Sequence, residues 1–438
     1  MWMAIGIVLF VLGLLFSIAW HELGHLTFAK LFHVRTTQYM IGFGKTLWSK
    51  QVGETEVGIK AVPLGGYIRM IGMVPPDARG RQRISTTALG PAGFVRQIIE
   101  DTRAGDRAQV AVTDDGRQFY QLHPAKRIVI MFAGPFMNLV LAVVLFAIVM
   151  MGIGVPTPNT TVESVSACVV PASAPAAEQR KTNCPPAQWT PARMVGLRAG
   201  DRITSFGGTA ITDWSQLTEL IRGAAGATVP ITVDRGGRTV TEPATIVRTE
   251  RPVYNDRNEL VSTVQTGFLG VGPQRPYVSQ SFGAAIDRTG QFIGAAAHAV
   301  IQIPARIPAL WDSIFNGAAR GADSPVGVVG AGRLSGEILS LNTEAKDKLA
   351  LFLTLLAGFN MSLFLLNLLP LLPLDGGHIF GAIIEWIKRG WARLRRRPLP
   401  APFDVAKLMP VAYLVALLFI GLTVLTLVAD VVNPVKLF

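Results

Sequence analysis

Four long apolar runs constrain this chain more than any other feature. They cover Met3 to about Phe28, Ile128 to Val155, Leu349 to Leu374, and Leu408 to Val428. A helix needs roughly 20 mostly apolar residues to cross a bilayer, and each run is long enough. A buried core helix of a soluble domain would be shorter and amphipathic. Charged residues make up 16% of the chain, against about 25% in soluble proteins. The first run is not a cleaved secretory signal. It lacks a basic leading region and no small-residue cleavage site follows it. The fold class expected is a polytopic α-helical membrane protein of about four spans.

Charge placement orients the spans. The net charge is +12. Lys30, Arg35, Lys45, Lys50, Lys60, Arg69, Arg79, Arg81 and Arg83 lie between the first two spans, and Lys388, Arg389, Arg393, Arg395, Arg396 and Arg397 follow the third. The positive-inside rule sends both segments to the cytoplasm. Both termini and the stretch from Val155 to Lys348 then face outward. Nucleic acid is not an expected partner, because the basic runs abut spans and carry no interleaved aromatic residues. The two cysteines, Cys168 and Cys184, fall in the outward segment. That compartment favours a disulfide between them over two free thiols.

The intervening segments have their own patterns. Thr36–Leu47 and Glu56–Tyr67 are rich in β-branched and aromatic residues and punctuated by glycine, which predicts hairpins. Backbone of that kind enters a membrane only where protein buries it. Residues 75–124 are polar, with one amphipathic helix expected over Gly93–Arg103. Outside, Val195–Ile211 reads as a strand between glycine turns. Trp214–Arg222 has helical spacing, and Val229–Val233 and Thr239–Val247 read as strands. Ser281–Gln302 is moderately apolar but carries Asp287, Arg288, Gln291 and His298. Those groups would be costly at mid-membrane, so the segment is expected to lie on the outer surface against lipid. Val326–Ala331 has no clear assignment.

The resulting division is a first span over 1–31, hairpins over 32–75, a cytoplasmic segment over 76–124 and a second span over 125–155. A β-rich domain with the cysteine insertion follows over 158–272, then a linker with the surface helix over 273–346. A third span over 347–378, a basic loop over 379–406 and a fourth span over 407–430 complete it.

The chemistry concentrates at His21-Glu22-Leu23-Gly24-His25. Four-residue spacing puts two imidazoles on one helix face, where they can hold one zinc ion, and Glu22 beside them can take a proton from water. The pattern arises by chance on ordinary surfaces. Here it interrupts an apolar helix, where ionisable groups are costly and usually functional. A catalytic zinc takes three protein ligands and one open position. Asp375 is the best third candidate, closing Asn367-Leu368-Leu369-Pro370-Leu371-Leu372-Pro373-Leu374 and preceding Gly376-Gly377-His378. Taken alone, a solvated Asp375 at a helix end is as good a reading. His378 is a rival ligand. His33, His123 and His298 are expected bystanders.

These pieces together resemble the site-2 protease family of intramembrane metalloproteases. The matching segments are His21–His25, Gly58-Ile59-Lys60-Ala61-Val62-Pro63-Leu64-Gly65-Gly66-Tyr67, Ala133-Gly134-Pro135-Phe136-Met137-Asn138, and Asn367 through His378. Val195–Ile211 is similar to part of a PDZ domain. The resemblance implies zinc held by His21, His25 and Asp375, Glu22 as general base, and Asn367 holding substrate backbone. It implies a membrane-dipping sheet that aligns substrate as an added strand. It also implies residence in the bacterial plasma membrane with the PDZ domain outside. The substrates implied are single-span proteins already trimmed on the outside, anti-sigma factors among them. One PDZ domain and the cysteine insertion set the chain apart from relatives with two such domains, and make it more similar to the actinobacterial members. Two other classes compete: a catalytically inactive scaffold, and an ion transporter, which usually shows internal repeats that are not seen here.

Overall fold

In the computed structural model, the described residues are 1–76, 99, 101–104, 110–171, 174, 178, 182–254, 260–318, 320–321 and 324–435. They separate into two compact units, Met1–Gly152 with Ser281–Phe438, and Ile153–Gln280. Arg79, Arg81, Arg83 and most of the amphipathic helix expected over Gly93–Arg103 lie outside the described residues.

The first unit is a helical body. Helix α1 (Trp2–Leu31) lies antiparallel to α2 (Pro124–Ala147), which continues as a π-helical turn over Ile148–Ile153. The two backbones approach closely because Gly24 has no side chain: a Cβ there would strike the Ala133 carbonyl. Trp20 donates its indole N–H to the Met137 carbonyl at 3.0 Å. Further along come α3 (Phe282–Phe315), α4 (Val328–Ser340), α5 (Ala345–Asn367), α6 (Asp375–Leu394) and α7 (Met409–Val432). Glycines again let α4 meet α1, where Ser335 Oγ donates to the Gly6 carbonyl at 2.7 Å. Helix α5 joins α1 through Asn360 Nδ2, which donates to Ser17 Oγ at 2.9 Å.

Among the described residues, five helices are long and apolar enough to cross a membrane: Trp2–Leu31, Pro124–Ile153, Phe282–Phe315, Ala345–Asn367 and Val405–Val432. The third of these departs from the expected surface helix over Ser281–Gln302. It runs through Pro304 and Pro308 to Phe315. Two other boundaries also differ. The third expected span over 347–378 ends as a helix at Asn367, because Pro370 and Pro373 cannot continue it. The basic loop expected over 379–406 is helical to Leu394. Trp386, Ile387 and Trp391 give that segment an apolar stripe among its basic residues.

Between α1 and α2 stands one hairpin, β1 (Thr36–Val52) and β2 (Thr55–Met70). It folds back on itself. Gln38 pairs with both Arg69 and Glu56, and Met40 with both Tyr67 and Gly58, while Trp48 pairs with Ile59. The hairpin is therefore a small four-stranded sheet, ordered 66–70, 36–41, 56–60, 46–52. Gly42 and Gly44 have φ of 91° and 82°, which L side chains rarely adopt, and they mark the bend.

The second unit is β-rich. Its four-stranded sheet runs Thr209–Ala210, Arg202–Phe206, Thr228–Arg235, Arg238–Thr245. Two-stranded ribbons pair Val247–Tyr254 with Leu260–Phe268, and Val162–Val165 with Val271–Pro273. Helix Trp214–Gly223 buries Leu217 and Ile221 against a core containing Ile203, Phe206, Ile231, Val233 and Ile246. Asp213 caps this helix by accepting from the Gln216 N–H at 2.9 Å. Arg235 holds Asp201 through two hydrogen bonds of 2.7 Å each. Cys168 and Cys184 are joined, with S–S at 2.10 Å.

Candidate metal centre and active site

The helix pitch brings His21 and His25 one turn apart on the face of α1 that meets α2. His21 Nδ1 faces Asn138 Oδ1 at 3.1 Å, and His25 Nδ1 faces the Ile130 carbonyl at 2.8 Å. Each Nδ1 thus faces an oxygen acceptor, and the tautomer that donates there leaves Nε2 with a free lone pair. Between those two partners sits Gly134. A Cβ there would overlap the His25 ring. Pro135 follows, and its missing N–H leaves that turn of α2 without one of its hydrogen bonds.

Asp375 arrives from the other side. Pro370 and Pro373 end α5 and turn the chain, and Asp375 becomes the first residue of α6. Gly376 and Gly377 let the turn close: a Cβ on either would strike backbone atoms of Leu368–Leu372. Asp375 Oδ2 stands 3.3 Å from His21 Nε2 and 3.4 Å from His25 Nε2, and the two Nε2 atoms are 3.2 Å apart.

These separations fit zinc. Ligand atoms placed tetrahedrally about 2.0–2.1 Å from one ion lie about 3.3 Å from each other. Asp375 Oδ2 is also buried without a hydrogen-bond partner among the described residues. Three lone pairs thus converge where no protein donor meets them, an arrangement a divalent cation resolves.

Glu22 follows His21 on α1, beside the sheet. A Cβ at Gly66 would stand 3.1 Å from Glu22 Cγ, so the edge segment 66–70 passes directly against that side chain. His378 lies one turn into α6, outside the three-ligand group, and its Nδ1 is buried without a hydrogen-bond partner among the described residues. Asn367 is the last residue of α5, half-buried and also outside the group. Asn138 is the supporting residue that the sequence pattern left without a role. The available signal was a lone amide inside an apolar run.

Two imidazoles and a carboxylate gathered inside an apolar helical body, with a second carboxylate alongside, define a membrane metalloprotease. The chain belongs to Peptidase family M50, whose profile matches residues 9–411. Zinc metalloprotease Rip1 of Mycobacterium tuberculosis is 33% identical over 99% of this chain and 98% of its own length. The protein of the same name from Mycolicibacterium smegmatis is 32% identical over 100% of each chain. Metalloprotease MmpA of Caulobacter vibrioides is 26% identical over 91% of this chain and 88% of its own. The protein is therefore a zinc-dependent metalloendopeptidase of the membrane, which sets aside the scaffold and transporter alternatives.

Proposed function

We propose that the protein is an intramembrane endoprotease of the site-2 type, cutting single-span membrane proteins already trimmed on the outside. The observation that carries this reading is the convergence of His21, His25 and Asp375 among helices whose outward faces are apolar. His21, His25 and Asp375 hold the zinc. When bound, zinc supplies Lewis acidity, polarising a peptide carbonyl and making water nucleophilic near neutral pH. Glu22 accepts the proton of the attacking water on its carboxylate and delivers it to the leaving amine.

The edge segment 66–70 runs past Glu22, so a substrate strand added there would bring its backbone to the site. A helical substrate has its carbonyls committed to hydrogen bonds and must unwind before it can pair. Asn367 is assigned to holding substrate backbone. Four helices cross the membrane in this reading. Helix α3 is long enough to do so, but its first half packs on Ala142 and Phe146 and its last turn meets Asn433. In this reading α3 lies against the helical body and is not counted as a span.

The β-rich unit is read as one PDZ-type domain on the outside of a bacterial plasma membrane, acting mainly to exclude substrates with bulky outer domains. Anti-sigma factors are the proposed substrate class, and lipid is the surrounding partner. Purified enzyme co-reconstituted with a single-span test substrate, with products mapped by mass spectrometry, tests the central part. Cleavage inside the span of a trimmed substrate is expected. Cleavage confined to extramembrane segments would overturn it.

A further inference from the structure

Each proposed zinc ligand on α1 is steadied from behind by α2, but by different means. His25 leans on a backbone carbonyl, Ile130 O, which no substitution removes. His21 leans on a side chain, Asn138 Oδ1. Ile130, Gly134 and Asn138 are spaced four apart, one face of α2 matching the four-residue spacing of the two histidines. The glycine in the middle leaves room for the His25 ring, and the residues either side of it hold the imidazoles.

Asn138 is 0% exposed. Its Oδ1 meets His21, while its Nδ2 is buried with no hydrogen-bond partner among the described residues. A buried, half-satisfied amide costs about 1–3 kcal/mol relative to one fully paired. Leucine has the same branched heavy-atom skeleton and would leave no unpaired polar atom there. An amide kept there against the packing preference must supply something leucine cannot. The one thing it visibly supplies is an acceptor for the Nδ1 proton of His21.

We propose that Asn138 is a positioning residue for zinc binding: its Oδ1 fixes the tautomer and ring orientation of His21 so that Nε2 faces His25 Nε2 and Asp375 Oδ2. Without that acceptor, His21 can rotate about its side-chain bonds or place its proton on Nε2, and either change withdraws a lone pair from the ion. Partners behind metal-bound histidines typically contribute 10–100-fold in metal affinity.

This inference rests on the proposed ligand role of His21, and the experiment separates the two. Full-length protein in nanodiscs is stripped of metal and titrated with zinc against a chelating fluorophore. The variants are His21→Ala, Asn138→Leu, Asn138→Gln and Asn138→Asp. His21→Ala should lose most zinc affinity. Asn138→Leu should lose about 10–100-fold, and Asn138→Asp, which keeps an acceptor oxygen in place, should stay within a few-fold of the parent. If Asn138→Leu does not fold, Asn138→Gln takes its place: it keeps the amide but displaces the oxygen by one methylene, and the same loss is expected. A purely structural residue would lower thermal stability in these variants and leave the zinc affinity of the folded protein unchanged. That result, with His21→Ala still impaired, overturns the positioning role alone. Unchanged affinity in His21→Ala overturns the ligand assignment and this proposal with it. Equal loss in Asn138→Asp and Asn138→Leu also overturns it, because acceptor chemistry would then not be what matters.

Discussion

The two units of this molecule are built inside out relative to each other. In the β-rich unit, Ile203, Leu217, Ile231, Val233 and Ile246 are buried, and the strand residues between them, such as Thr204, Ser205 and Thr232, are polar and half-buried. In the helical body, many large apolar side chains point outward, among them Val8, Leu12, Phe16, Leu414, Leu417 and Leu418. Inside it are Ser17, His25, Arg127, Asn138, Asn360, Glu385 and Asp430. One chain thus follows two rules because its two parts meet different solvents. Lipid offers helices no hydrophobic reason to associate, so packing glycines and interior polar groups hold the body together.

The ion pairs show the same contrast. Arg320 pairs with Asp430 at 2.9 Å, each side chain 1% exposed, and Asp430 also accepts from the Gly327 and Gly330 N–H groups at the start of α4. Arg127 of α2 pairs with Glu385 of α6, which also pairs with Arg389 and accepts from the Phe403 N–H. That second cluster ties the helix that begins at Asp375 to the helix that carries Asn138. In the β-rich unit, Arg235 covers Asp201 from a partly exposed position. Removing one partner of a buried pair strands a charge, whereas water can reach the partner of an exposed one.

The contrast can be broken by substitution. The largest effect is expected for Glu385→Ala, which leaves Arg127 buried without its partner. A loss of about 3–5 kcal/mol is expected, read as a lower melting temperature for the detergent-solubilised body. A melting temperature equal to that of the parent would mean that the interior charges do not hold the body together.

A somewhat smaller effect is expected on the outward faces. Leu418→Arg places a charge where the account puts lipid, at a cost of about 2.5–3.5 kcal/mol. Thr241→Arg, on an exposed strand position of the β-rich unit, should stay within about 0.5 kcal/mol. Membrane-insertion yield and proteolysis of the two variants compare them directly. Equal tolerance would erase the distinction between the units.

The smallest effect sharpens the comparison through pH. Hydrogen bonds from Arg235, strengthened by the Arg198 N–H, hold the Asp201 carboxyl below the usual carboxylate range. A depressed folded value stabilises the folded unit above the unfolded pKa of about 3.9, and the contribution disappears as pH falls through the lower folded value. The β-rich unit of the full chain should therefore lose stability below about pH 4, and Asp201→Asn should flatten that slope. Protease susceptibility of the unit across pH reads it. An unchanged slope in the variant would assign the acid sensitivity elsewhere.

How legible these features were in the sequence follows the range of the interactions. His21 and His25 were legible because four-residue spacing is local and their apolar surroundings made them conspicuous. Asp375 stood out as a carboxylate after two prolines, but only the structure shows its Oδ2 within 3.4 Å of both imidazoles. The role of Asn138 depends on a contact across 117 positions, which no local pattern carries. The doubling of the hairpin was hidden for the same reason, since Gln38 pairs with both Glu56 and Arg69 through separate turns. The helix Asp375–Leu394 was obscured by its own charge. Lys388, Arg389 and Arg393 suggested a solvated loop, although Trp386, Ile387 and Trp391 already supplied an apolar stripe.

The central claim is that Glu22 moves the proton while His21, His25 and Asp375 hold the zinc. Glu22→Gln tests it most directly, because it removes the basic carboxylate and leaves the three ligand side chains in place. Zinc content and cleavage of a reconstituted single-span substrate are measured on the same purified sample. The account predicts parental zinc content with cleavage reduced by at least about 100-fold, the lower end of what a positioned general base contributes. Cleavage near the parental rate in the zinc-loaded variant would contradict it.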